Sequence, residues 1–85
     1  MLQIIVFGPS PPCAKCKRAE REARKAAEAF EGQVEVVHLD ALGPEAQAYG
    51  LMVTPVTVVG DEVVASGRVL PAPQLASIIE RHLGG

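Results

Sequence analysis

Residues 49–69 read "YGLMVTPVTVVGDEVVASGRV", from Tyr49 to Val69. Two short β-branched runs, Val56 to Val59 and Glu62 to Ala65, flank Gly60-Asp61. Such runs around a two-residue turn predict a hairpin, so these two strands are antiparallel. Pro55 heads the first run, where a strand tolerates proline and where an X-Pro bond makes the cis form accessible. Gly50 closes a short helix on one side, and Gly67 breaks the sheet on the other.

Working outward, Gly43-Pro44 opens that short helix over Glu45 to Tyr49, with Pro44 near its first position. Val34 to Leu39 is a strand, and so is Gln3 to Phe7, a continuous apolar run that reads as buried on both faces and ends at Gly8-Pro9. Between them, Cys13 to about Glu31 reads as a helix. Cys16, Ala19, Ala23, Ala26, Ala27 and Phe30 recur every three or four residues as one apolar stripe, and Gly32 suits the C′ position. The opposite face is charged, with Arg18/Glu22, Glu20/Arg24 and Arg24/Glu28 spaced for ion pairs. Strand, helix, strand at these lengths is a parallel, right-handed βαβ unit. After Pro71 and Pro73, a last helix over Gln74 to Leu83 carries Leu75, Ile78, Ile79 and Leu83 on one face.

The order β-α-β-α-β-β-α predicts one α/β domain over residues 1–85. Its mixed four-stranded sheet takes the order 2-1-3-4, with helices on both faces. With 85 residues, 48% hydrophobic, 21% charged and a net charge of −2, the chain can bury one core and is not disordered. The mild acidity makes no case for nucleic acid. The run Leu2 to Phe7 is too short to span a membrane and lacks the flanks of a signal peptide. Two cysteines are too few for a secreted disulfide scaffold, so a reducing cytoplasm is the expected compartment, and a monomer the expected state.

Those two cysteines stand in "PSPPCAKCKR", Pro9 to Arg18. Cys13 falls at the N-terminus of the first helix, where unpaired N–H groups and the helix dipole favour an anion. Lys15, Lys17 and Arg18 add positive charge. Basic residues in a first turn oppose the dipole, so a sequence tuned only for helix stability would place acids there. Here the acids begin at Glu20. The arrangement suits a thiolate, and the helix end and Lys15 together can lower the Cys13 pKa. Lys17 and Arg18 taken alone read equally well as a solvated face. Two core thiols or a metal clip are the competing readings of the pair. A closed zinc site needs four ligands, and His38 and His82 are distant and not paired in sequence. A two-thiolate Cu(I) site stays open.

The strand–loop–"CAKC"–helix segment and the "YGLMVTPVTVVGDEVVASGRV" segment, in that order before a closing helix, resemble the thioredoxin superfamily. The likeness is strongest to its small thioredoxin-like and glutaredoxin-like redox-disulfide members. It covers nearly the whole chain. It implies that Cys13 attacks as an exposed thiolate and that Cys16, one turn inward, resolves the mixed disulfide. Pro55 would be cis and packed against the pair, Thr54 would offer its backbone to an extended substrate, and Gly67 would keep the groove open. Pro12, Met52 and Val53 would complete the substrate surface. The implied activity is thiol–disulfide exchange on protein disulfides, with a disulfide reductase as electron donor and with no bound cofactor or metal. The alternative is a binding module on the same scaffold, whose cysteine pair holds a soft metal such as Cu(I) or a partner without turnover.

The chain departs from the pattern in three places. Pro12 stands where thioredoxins carry tryptophan, and Ala14-Lys15 where they carry Gly-Pro. The first strand holds no acid, which leaves Lys15 as the tuner of the thiol. Gly67 is followed by Arg68, without the Gly-Gly and acid with which glutaredoxins hold glutathione, so no glutathione site is carried over. Phe30 and Tyr49 read as core, His82 as a cation suited to a helix C-terminus, and His38 as a strand-end residue partly in solvent.

Overall fold

The computed structural model describes residues 1–8, 14–40 and 53–84. The elements are β1 (Leu2–Gly8), α1 (Ala14–Glu28), β2 (Val34–Asp40), β3 (Val56–Val59), β4 (Glu62–Ser66) and α2 (Ala72–Leu83). They form one four-stranded sheet in the order β2-β1-β3-β4. β1 runs parallel to β2, with Leu2 beside Val34 and Gly8 beside Asp40. β3 is antiparallel to both β1 and β4, and the hairpin register shifts between Thr57 and Val58. Gly60 makes the turn with φ of 66°, in the left-handed region where a side chain is strained. The helix expected over residues 45–49 lies outside the described residues.

Both described helices pack on one face of the sheet. Ile4, Val6 and Val59 meet Ala19, Ala23 and Ala26 of α1 and Leu75 and Ile79 of α2 in a single buried cluster. The alanine stripe lets α1 lie close to the strands, and the larger side chains come from the sheet and from α2. Each fully buried Ile or Leu contributes about 1.5–3 kcal/mol. Ile5, Phe7, Val56 and Val58 form a second cluster on the other face.

α1 stops at Glu28 rather than Glu31. Ala29 and Phe30 donate to carbonyls three residues back, tightening the chain toward Gly32, whose φ is 85°. Phe30 packs against the main cluster. Of the charged pairs spaced for α1, Arg24 holds Glu20 at 2.7 Å. Glu22 does not pair with Arg18. Its Oε1 accepts the backbone N–H of Ala72 at 2.8 Å, which caps α2, where Pro71 offers no side-chain cap. At the far end of α2, Arg81 and His82 each reach Oε1 of Glu62 on β4 at 2.8 Å. The His82 hydrogen bond, with the Arg81 charge behind it, holds the exposed Glu62 carboxyl below its usual range.

Candidate active site

β1 ends at Gly8 and α1 starts at Ala14, and the first turn of α1 carries no acidic side chain. Cys16 opens the buried stripe of that helix, fully shielded from solvent. Lys15, Lys17 and Arg18 around it are exposed. The remaining predicted residues of this loop, Pro12 and Cys13, lie outside the described residues.

Gly8, the last residue of β1, explains how α1 docks so tightly. A Cβ on Gly8 would sit 3.0 Å from Sγ and 3.2 Å from Cβ of Cys16. A side chain there would force Cys16 to give way by a few tenths of an ångström. The same point lies 3.5 Å from Nε2 of His38 on β2. His38 is partly in solvent, as expected, but the Nε2 end of its ring is turned inward. Val34 and Val36 face the α1 cluster, and His38, two residues further on, follows them inward beside Val6. Its Nε2 is buried and has no hydrogen-bond partner among the described residues.

The second motif lies against the first. The Thr54–Pro55 peptide is cis, and Pro55 is among the fully buried side chains. Thr54 is half-buried and Val53 is 56% exposed, an apolar side chain presented to solvent. Gly67 donates its N–H to the Pro55 carbonyl at 2.9 Å. Its φ is 76°, and a Cβ there would stand 2.6 Å from Cγ1 of Val53. Gly67 thus allows β4 to close on the Val53–Pro55 segment, and Ser66 Oγ donates to the Val53 carbonyl at 3.3 Å. Lys15 spans the two motifs, since its Nζ donates to the Gly67 carbonyl at 2.8 Å. The structure thus joins Lys15, Val53, Thr54, Pro55 and Gly67 through direct contacts, with Cys16 beneath the first turn. Met52 lies outside the described residues.

Sequence reasoning missed Gly8 and the Glu22 cap, and set His38 aside as a partly solvated strand end. The two-residue alternation of β2 carried the signal for His38, since it places that residue on the face of Val34 and Val36.

A parallel βαβ unit followed by a cis-proline hairpin, with a cysteine in the first turn of the intervening helix, is the thioredoxin-like fold. A family model described as a thioredoxin domain matches residues 2–80. The chain belongs to that family. Among solved structures, it is similar to chloroplastic thioredoxin z, at 23% identity and a TM-score of 0.79, covering 100% of this chain and 80% of that one. It is also similar to thioredoxin-2 of the malaria parasite, described as a component of protein secretion machinery. That match has 15% identity and a TM-score of 0.74, covering 96% of this chain and 84% of that one. The germline-specific thioredoxin Deadhead of Drosophila melanogaster is similar at 18% identity and a TM-score of 0.67, covering 94% and 79% of the two chains. The search of the curated proteins returned no match.

Proposed function

We propose that this protein is a small cytoplasmic thiol–disulfide oxidoreductase that reduces or exchanges protein disulfides through a Cys13–Cys16 dithiol/disulfide cycle. The observation that supports this best is the junction of the two motifs. The first turn of α1 reaches Gly67 through Lys15, and Gly67 is hydrogen-bonded to Pro55. The first turn of the cysteine-bearing helix is therefore tied to the segment that carries the cis-proline and the exposed Val53.

In this reading, the Cys13 thiolate attacks one sulfur of a substrate disulfide, and the other substrate sulfur leaves as a thiolate. The Cys16 thiol then loses its proton and attacks Cys13, which expels the second substrate sulfur and closes the Cys13–Cys16 disulfide. The substrate gains two electrons and two protons, and the cysteine pair loses them. A disulfide reductase restores the dithiol. The Thr54 backbone pairs with the substrate chain, and Pro12, Met52, Val53 and Gly67 shape the groove.

A redox titration of the purified protein against a dithiol/disulfide buffer, read by thiol labelling, tests this. The reading expects a reversible two-electron transition, together with turnover of a protein disulfide when a reductase is supplied. Tight Cu(I) binding by the pair, with no turnover, would favour the binding module instead.

A further inference from the structure

The oxidoreductase cycle requires the Cys16 thiol to lose its proton in a buried place. A thiol with an ordinary pKa of about 8.5 is only about 3% ionised at pH 7, so an unaided Cys16 would attack slowly. β1, directly beneath the helix, carries no titratable side chain in Leu2–Gly8. β2 supplies one. His38 Nε2 and Cys16 Sγ border the same space, the one left open because residue 8 is glycine.

We propose, resting on that reading, that His38 is the proton acceptor for Cys16 and acts from the neighbouring strand across the gap over Gly8. Two independent observations meet here. Nε2 is buried without a hydrogen-bond partner among the described residues, a state that folded proteins largely avoid and that asks for a reason. A Cβ on Gly8 would also touch both groups, 3.0 Å from Cys16 Sγ and 3.5 Å from His38 Nε2. The strand register, with His38 beside Val6 and Asp40 beside Gly8, fixes the imidazole at this depth. Asp40 on the same strand is exposed, and Cys16 is the titratable group of α1 that faces the gap, among the described residues.

The step balances as follows. In the mixed disulfide between Cys13 and the substrate, Cys16 Sγ gives its proton to the unprotonated Nε2 of neutral His38. It does so through one bridging water, or directly after a small rotation of the ring. The sulfur then attacks Cys13 Sγ. The Cys13–substrate bond breaks, the substrate sulfur leaves with the electron pair, and the proton on His38 passes to that thiolate through solvent. His38 ends neutral and takes no part in the first attack.

The aromatic disulfide 5,5′-dithiobis(2-nitrobenzoate) separates the two steps. Attack by Cys13 releases one coloured thiolate, and attack by Cys16 on the resulting mixed disulfide releases a second. In stopped flow on the full chain, H38Q should leave the first release within about twofold of wild type. It should slow the second at pH 7 by about tenfold or more, toward the thirtyfold ceiling set by the ionised fraction of an unaided thiol. The deficit should shrink as pH rises and Cys16 ionises by itself. A second release within twofold of wild type across pH 6–9 overturns the proposal. Absence of a second release from wild type sinks the oxidoreductase reading itself. Nitrogen NMR of the reduced wild-type protein is an independent check that does not depend on a variant folding. Nε2 should be the unprotonated nitrogen at neutral pH, and a proton resident on Nε2 would overturn the assignment.

Discussion

Lys15 Nζ donates to the Gly67 carbonyl at 2.8 Å, across 52 residues of chain. One side chain from the first turn of α1 therefore holds the end of β4 and brings a positive charge to the mouth of the candidate groove. The bond is charge-assisted but exposed, so it contributes at most about 1 kcal/mol to stability.

Two effects of Lys15 can be separated by substitution. If its charge stabilises the Cys13 thiolate, both Lys15→Ala and Lys15→Gln should raise the Cys13 pKa, at a cost of about 0.2–1 kcal/mol of thiolate stabilisation. A higher pKa weakens the reduced form, so the disulfide should become harder to reduce. Thiolate absorbance titrated against pH reads the first effect, and equilibration with a redox buffer reads the second. If Gln behaves as wild type and only Ala shifts, the hydrogen bond to Gly67 matters more than the charge. No shift in either variant leaves the helix end as the sole source of tuning.

Gly67→Ala meets two obstacles, a φ of 76° and a Cβ 2.6 Å from Val53 Cγ1. The backbone part alone costs about 1–2 kcal/mol. Denaturant unfolding should register that loss or a larger one. In the double variant with Val53→Ala, the clash disappears and the φ strain stays, so the loss should be recovered only in part. Full recovery would show that the left-handed backbone is no constraint at this position.

Glu22 acts as a cap supplied from another helix. Glu22→Ala should lower stability by about 1 kcal/mol, the usual value of a helix N-cap, because the Ala72 N–H loses its acceptor. Glu22→Gln keeps an amide oxygen in place and should lose less. Amide hydrogen exchange at the start of α2 should rise in the Ala variant first. Equal losses for Ala and Gln would assign the effect to charge rather than to capping.

Most of the architecture was legible because it follows from periodicity and turn chemistry. The apolar run of β1 marks it as an inner strand, and the hairpin around Gly60-Asp61 must share its sheet. Positions decided by tertiary neighbours were harder. Glu22 looks like a partner for Arg18 along the helix, and only the approach of α2 turns it to Ala72. His38 looks like a polar strand end; the alternation of β2 puts it on the face of Val34 and Val36, but only the missing side chain of Gly8 shows that this places Nε2 near a cysteine. The register shift between Thr57 and Val58 has no residue signature in that hairpin. Lys15 stands out in the sequence for its charge, but its partner lies on the other motif, beyond any local pattern.

The central claim is that Cys13 attacks and Cys16 resolves, and trapping of mixed disulfides tests it most directly. Cys16 is fully buried at the start of the α1 stripe, so a bulky disulfide should not reach it. After exposure to a disulfide substrate, Cys16→Ser should accumulate mixed disulfide at close to one per chain by non-reducing mass analysis. Cys13→Ser should accumulate almost none, and both variants should lose multiple-turnover disulfide reduction. Equal trapping by the two variants would make the thiols equivalent, as in a two-thiolate metal clip, and would contradict the account.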